Sequence, residues 1–289
     1  MLNIENNVLS VNIKSKGAEL DSIFHKQHQL EYLWNGDPAV WGKKSPILFP
    51  IVGTLKNDTY TYEDKLYHLS RHGFARESEF ELVNQSAPSL SLSLKSNAST
   101  LENYPFAFEL VVTYSLDQHY LGVTYTVKNE DEKTMLFSVG GHPAFKVPLV
   151  AGLAYEDYFL EFGTKETAGR WPISPEGLID EPPVNVLDHE NQLFLTKELF
   201  SKDALVFKNL LSDRVSLKTA KNQHGLTFYY PCFPFLGIWA AKNADFVCIE
   251  PWCGIADSVH SNQQLTDKEG IEALEPGERF ERQWKVELF

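Results

Sequence analysis

The chain has 289 residues, of which 43% are hydrophobic, 13% aromatic and 22% charged. This composition is typical of a folded protein with a sizeable core, and it argues against intrinsic disorder. Asp and Glu outnumber Lys and Arg by 39 to 26, and the resulting formal net charge of −13 disfavours nucleic acids and anionic lipid surfaces as partners.

Hydrophobic and polar residues alternate in segments along the whole chain, which is the pattern of half-buried β-strands. The segments are residues 9–13, 90–94, 121–127, 226–230 and 284–288. Helical periodicity is scarce, and its best candidate is a short piece near residues 196–202. Because strands and helices do not alternate, the pattern predicts an all-β fold, an antiparallel sandwich or barrel.

No low-complexity linker and no fixed-period repeat divides the sequence, so we expect residues 1–289 to form a single domain. The proline-rich residues 171–183 are expected to be a surface loop. No apolar run approaches the roughly 20 residues of a membrane-spanning helix, and the N-terminal residues lack the features of a secretion signal. We therefore expect a cytoplasmic protein. The three cysteines lack the paired spacing of a zinc or redox motif.

Three short segments carry residues suited to chemistry. His72 lies beside Gly73 and between Arg71 and Arg76, and His142 follows an apolar run at an expected strand end. In the third segment, residues 246–252, a carboxylate at position 250 ends an apolar run and is followed by an aromatic ring at position 252.

Glu250 and His142 are suited to be a general base and acid, with Trp252 as a surface on which a sugar stacks. The same residues also suit structural hydrogen bonding at strand ends, and their types and positions alone do not decide between the two.

The order of the motifs resembles that of the aldose 1-epimerase (galactose mutarotase) family. The motifs are residues 72–76 (HGFAR), 141–145 (GHPAF), 249–251 (IEP) and 276–278 (PGE). The sequence is most similar to the LacX-like and hexose-6-phosphate-mutarotase-like branch, and the likeness covers nearly the whole chain. It implies a large antiparallel β-sandwich of the galactose mutarotase-like supersandwich type.

The resemblance also implies roles for individual residues. Glu250 would take the proton of the anomeric hydroxyl, and His142 would protonate the ring oxygen as the ring opens. His72 would donate a hydrogen bond near the reacting centre, and Asp203 would accept one from a sugar hydroxyl. The reaction needs no cofactor and no metal. The acid role favours a protonated imidazole at His142, which a neighbouring negative charge would help to retain.

The substrate is less well defined than the reaction. Many relatives carry an arginine directly after Pro-x-x-Gly, whereas here residues 50–53 are followed by Thr54, with Lys56 two residues later. Arg71 and Arg76 are candidates to bind a sugar hydroxyl or a 6-phosphate, or else they form a solvated salt-bridge pair at the rim of the sheet. The partner is therefore a small-molecule sugar or a sugar phosphate, bound by a monomer or a weak homodimer.

Three other functions are alternatives, and the third has the least support. A non-catalytic carbohydrate-binding protein would keep the aromatic and polar groups, but it would not need both an imidazole and a carboxylate at one ring. A glycosidase would use two carboxylates, for which Asp203 and Glu250 are candidates. A zinc hydrolase is disfavoured, since His68 and His72 have a suitable spacing but lack the adjacent glutamate of helical zinc motifs.

Overall fold

The computed structural model describes residues 1–289, and almost every regular element in it is a strand. The 23 strands are β1 (Leu2–Glu5), β2 (Leu9–Ile13), β3 (Leu20–His25), β4 (Leu30–Glu31), β5 (Ile47–Leu48), β6 (Thr59–Tyr62), β7 (Lys65–His68), β8 (Glu81–Ser86), β9 (Ser89–Lys95), β10 (Phe108–Asp117), β11 (Tyr120–Asn129), β12 (Met135–Phe137), β13 (Val139–Gly141), β14 (Ala144–Lys146), β15 (Tyr158–Arg170), β16 (Val184–Phe194), β17 (Leu205–Lys208), β18 (Arg214–Thr219), β19 (Leu226–Tyr229), β20 (Phe235–Trp239), β21 (Phe246–Cys253), β22 (Glu272–Leu274) and β23 (Arg279–Leu288).

The strands form a large antiparallel β-sandwich, which confirms the predicted fold class. The largest sheet has nine strands in the order β16-β15-β18-β19-β23-β11-β10-β9-β8. A six-stranded sheet has the order β17-β20-β21-β13-β5, with β14 also paired to β21, and β1 to β4 form a third sheet. Two pairs, β12 with β22 and β6 with β7, complete the fold. No helix of the structure is long and apolar enough to cross a membrane.

A connected core of 71 buried hydrophobic residues joins the sheets. Rings from the two larger sheets meet in it: Phe145 of β14 lies 5.9 Å from Phe228 of β19, measured between centroids. Phe228 in turn stacks on Trp284 of β23, whose indole nitrogen donates a hydrogen bond of 2.8 Å to the hydroxyl of Tyr125. The alternating residues of the predicted strands supply this core, because every second side chain of a strand points to the same face.

The helix predicted near residues 196–202 was wrong. This segment forms turns, in which Leu199 and Ser201 donate backbone hydrogen bonds three residues back, to Thr196 and Glu198. The α-helix of the structure is Ala98–Asn103. Asn97 is the N-cap residue of this helix. Its side chain accepts hydrogen bonds from two backbone N–H groups of the first turn, and this capping sets the start of the helix.

The six-stranded sheet carries the residues of chemical interest on its central strands. His142 comes directly after β13, and Glu250 lies inside β21, paired in register with Gly237 of β20. The prediction that Glu250 ends its strand was wrong, since β21 continues to Cys253. It continues because β20 and β13 flank it on both sides and pair with its last residues.

Candidate active site

An imidazole and a carboxylate meet in the middle of the six-stranded sheet. The Nε2 atom of His142 lies 3.3 Å from Oε2 of Glu250. Both residues are buried, with 8% and 2% of their surface exposed. The backbone of His142 is fixed by a hydrogen bond from its N–H to the carbonyl of Pro46, and the strand pairing of β13 with β21 brings the two side chains together.

This pair forms part of the wall of a cavity of about 440 Å³. All seven residues predicted for the site line the cavity: Arg71, His72, Arg76, His142, Asp203, Glu250 and Trp252. They come from four separate parts of the chain. The remaining lining residues are mainly apolar or aromatic, so the cavity has the character of a small-molecule site.

His72 is held as a neutral donor. Its Nδ1 accepts a hydrogen bond of 3.0 Å from the backbone N–H of Gly53, so the ring proton of the neutral form is on Nε2. Its own backbone N–H donates to the carbonyl of Gly53 at 2.9 Å. Burial lowers the pKa of His72 well below its ordinary value, and the charges of His142, Arg71 and Arg76 act in the same direction. The ring of His72 lies 5.8 Å from that of His142.

Two tryptophans that sequence reasoning missed enclose the ring of His142. Trp41 stacks on it at 5.0 Å between centroids, with ring planes 28° apart, and Trp239 meets it edge-on at 5.6 Å. Trp41 belongs to an irregular segment, and its carbonyl accepts a hydrogen bond from the indole of Trp34. Both tryptophans line the cavity, so the wall around the imidazole is aromatic.

Burial drives the pKa values of the central pair in opposite directions. It raises the pKa of Glu250 well above its ordinary value, although the charge of Arg71 opposes the rise. It lowers the pKa of His142 to about 3, and the charges of Arg71 and Arg76 add to this effect. A neutral resting pair is therefore favoured, which differs from the protonated imidazole expected from the acid role alone.

Arg71 and Arg76 line the cavity and form no ion pair; Glu77, whose charge acts on Arg76, pairs with Lys16 and Lys43 instead, so the salt-bridge alternative was wrong. Nη2 of Arg76 donates to the carbonyl of Arg71 at 3.0 Å, and the Nε of Arg76 is buried without a partner. Burial lowers the pKa of Arg76 and the charge of Arg71 adds to this effect, whereas the charges of Glu77 and Glu19 oppose it. Lys56 does not join them, since its ammonium donates to the carbonyls of Val259 and Ser261.

Asp203 is half-buried at the edge of the cavity, with a backbone φ of 69°. One of its carboxylate oxygens accepts a hydrogen bond of 2.7 Å from the N–H of Ala204. Its negative charge contributes to the raised pKa of Glu250. The other oxygen has no such partner, which leaves it available as an acceptor.

Part of the predicted surface loop forms a wall of the cavity. Ile173, Gly177 and Ile179 of this loop line it. The N–H of Ile179 donates to the carbonyl of Asp257, whose carboxylate in turn forms a buried ion pair of 2.6 Å with Lys268. At Gly177 a side chain would come within 2.7 Å of Oγ1 of Thr54, so only glycine allows this close approach.

Neither candidate for a metal site has the features that such a site needs. The ligand atoms of His142, Cys248 and Glu250 lie within 4.8 Å of one another. However, two of these three ligand atoms already contact each other, since Nε2 of His142 lies 3.3 Å from Oε2 of Glu250, and all three residues are buried. The spacing of His68 and His72 does not make a site either, because His68 is exposed on β7 while His72 is buried in the cavity wall.

Comparisons with known proteins identify the family and the fold. The sequence profile of the family described as Aldose 1-epimerase matches residues 1–281. The chain is 37% identical to the chromosomal LacX protein of Lactococcus lactis subsp. lactis, over 99% of both chains. A galactose mutarotase related enzyme from Lactobacillus acidophilus is 37% identical and superimposes with a TM-score of 0.95, over 100% of this chain and 97% of that one. A galactose mutarotase-like protein from Lactobacillus casei is 34% identical, with a TM-score of 0.93 over the whole of both chains.

Proposed function

The chain belongs to the aldose 1-epimerase family, and we propose that it is an aldose 1-epimerase, an isomerase that interconverts the α and β anomers of an aldohexose. The observation that carries the proposal is the buried contact between His142 and Glu250 on the wall of a sugar-sized cavity. Opening a hemiacetal ring needs one group that accepts a proton and one that donates a proton at neighbouring oxygens.

The reaction can run with one proton shared by the pair. The Glu250 carboxylate takes the proton of the anomeric hydroxyl while the C1 carbonyl forms and the bond from C1 to the ring oxygen breaks. His142 gives its proton to the ring oxygen. Rotation about the C1–C2 bond and the same steps in reverse yield the other anomer.

The protonation state of the pair changes as the ring opens. With the sugar closed, the reacting pair is carboxylate and imidazolium; with the sugar open, it is carboxylic acid and neutral imidazole. The two states carry the same net charge. Burial favours the uncharged one, so the charged reactive pair is the less populated form, and the proton transfers that open the ring restore the uncharged pair.

The other cavity residues have supporting roles in the proposal. The neutral His72 donates from Nε2 to a sugar oxygen, and the free carboxylate oxygen of Asp203 accepts from a sugar hydroxyl. Trp252 contributes ring surface to the cavity wall. These contacts would hold the anomeric carbon against the central pair.

The proposal is tested by polarimetry on freshly dissolved α-glucose and α-galactose. The native protein is expected to accelerate the approach to anomeric equilibrium while leaving methyl glycosides intact. Binding without acceleration would favour a carbohydrate-binding protein, and release of methanol from the glycosides would favour a glycosidase. Either result would overturn the proposal.

A hexose-6-phosphate 1-epimerase is the second candidate function, and the unpaired arginines favour it. Two guanidinium groups that form no ion pair line the cavity, since the neighbouring Glu77 pairs with lysines, and each guanidinium lowers the energy of an anion bound there. The test compares kcat/KM for glucose and glucose 6-phosphate in the native protein and in Arg71→Gln and Arg76→Gln. If the substrate is phosphorylated, each variant should lose roughly 10- to 100-fold on the phosphosugar only.

Arg214→Gln is the matched control, because Arg214 is exposed and pairs with Asp213 away from the cavity. Equal losses on glucose and glucose 6-phosphate would contradict the phosphate role and leave the arginines as contacts to sugar hydroxyls.

A further inference from the structure

The indole nitrogen of Trp252 is a buried donor without a partner. Seven buried polar side-chain atoms in the structure lack a hydrogen-bond partner, and three belong to residues that line the cavity: Nε of Arg76, Nδ1 of His142 and Nε1 of Trp252. Buried donors in folded proteins are nearly always paired. An unpaired N–H beside a reacting group is free to donate to a group whose charge changes during the reaction.

Two glycines create the slot in which the indole lies. Gly140 of β13 is directly opposite Trp252 in register, and Gly237 of β20 is directly opposite Glu250. A β-carbon on Gly237 would come within 2.4 Å of the indole, and one on Gly140 within 2.7 Å. The indole thus fills the space that a side chain opposite Glu250 would take.

The strand geometry brings the indole to the carboxyl group. Trp252 and Glu250 are two residues apart in β21, so their side chains point to the same face of the sheet. Because the indole leans over Gly237, it lies beside the carboxyl group of Glu250. The indole also opposes the rise in the pKa of Glu250 that burial causes.

We propose that Trp252 is a positioning residue whose indole N–H donates a hydrogen bond to the Glu250 carboxylate whenever that carboxylate is ionised. The proposal rests on the acid–base function proposed above. The N–H forms no hydrogen bond of standard geometry in the structure, yet it is near enough to Glu250 to oppose the rise in its pKa; because an ionised carboxylate is the stronger acceptor, the N–H stabilises it more than it stabilises the carboxylic acid. The donor thus populates the reactive state of carboxylate and imidazolium.

The other charged and titratable groups around Glu250 come from several elements. They are His142 after β13, Arg71 after β7, Asp203 before β17 and Cys248 within β21 itself. All of these groups are still present when the indole is replaced by a ring without an N–H. A change in the pH dependence of such a variant therefore reports the lost donor.

The test is Trp252→Phe, which keeps an aromatic ring in the slot and removes the N–H. We expect kcat for anomer exchange to fall about 10-fold, the loss typical of one hydrogen bond to a charged group, with KM changed less than about two-fold. The alkaline limb of the kcat profile should move to higher pH by about one unit, because the carboxylate of Glu250 is less stable without its donor. Trp171→Phe is the matched control, since Trp171 packs on the same core cluster without lining the cavity.

Three results would overturn the proposal. If the pH dependence of kcat is the same in Trp252→Phe and in the native protein, the indole is not a donor to Glu250. If KM rises while kcat is unchanged, the ring contacts the sugar instead. If the native protein does not exchange anomers, the proposed function and this role fail together. Should Trp252→Phe not fold, benzothienylalanine at position 252 preserves the shape of the indole and replaces N–H by sulfur, and the same shift is expected.

Discussion

Lowering the pH from 7 to 5 distinguishes the buried His142 from an ordinary histidine. Activity requires one proton on the pair with Glu250, and a second proton on the imidazole stops the reaction. A histidine with a pKa of about 6.5 would be about 97% protonated at pH 5, and activity would fall roughly 30-fold. Since burial lowers the pKa of His142 to about 3, only about 1% should be protonated at pH 5.

The assay is kcat for anomer exchange, measured by NMR saturation transfer at several pH values between 5 and 7, with the spontaneous rate subtracted. The account predicts a kcat that stays constant over this range within about 20%, because the protonated fraction remains near 1%. A decline with a midpoint near 6.5 would refute the reasoning, since it would show a solvated imidazole.

Trp41 supplies a variant for the same measurement. Its ring covers one face of His142, at 5.0 Å between centroids. Trp41→Ala opens that face to water, so the pKa of His142 should rise towards its ordinary value and an acid limb should enter the range of pH 5 to 7. Trp171→Ala is the control, because Trp171 does not line the cavity and packs against the ammonium of Lys208. An unchanged profile in Trp41→Ala would show that Trp41 does not keep His142 dry.

Three further predictions concern stability and are measured by urea unfolding. Asp257→Asn leaves the buried ammonium of Lys268 without its carboxylate and should cost about 3–5 kcal/mol; a loss below about 1 kcal/mol would contradict the importance of this pair. Thr54→Val removes a buried hydroxyl that has no partner and should stabilise the fold by about 1 kcal/mol, and a loss of stability would show that the hydroxyl is paired. The pKa of His25 is lowered to about 4, chiefly by burial and then by the charges of three other histidines, so the folded state holds this ring neutral and loses stability as the pH falls from 6.5 towards 4. His25→Asn should reduce the loss between pH 7 and pH 5 by about 1 kcal/mol, and an unchanged loss would contradict it.

The strands and the pair of His142 and Glu250 were predictable because they depend on the local sequence pattern. Hydrophobic and polar residues alternate in β2, β9, β11 and β23, because one face of each strand is buried and the other is more polar. Glu250 and His142 were identifiable because burying a polar side chain next to an apolar run costs free energy unless that side chain is hydrogen-bonded or paired. The resemblance to the family then supplied roles for them.

The features that were missed depend on contacts between distant parts of the chain. Trp41 lies in an irregular segment, and only the packing of that segment against the sheet brings it to His142. The slot for Trp252 depends on the register of β21 with β13 and β20, which no local pattern reveals. The helix at Ala98–Asn103 was overlooked although Asn97 has the side chain of a helix cap, because it is only six residues long.

The most direct test of the central claim compares anomer exchange in the native protein, Glu250→Gln and His142→Asn, using saturation transfer on glucose, galactose and glucose 6-phosphate. Both substitutions keep the approximate shape of the side chain and remove its proton transfer. The account predicts that each lowers kcat by roughly 10²- to 10⁴-fold on whichever sugar the native protein uses, while both variants remain folded. Exchange at the native rate in either variant would contradict the assignment of this pair as the acid and base.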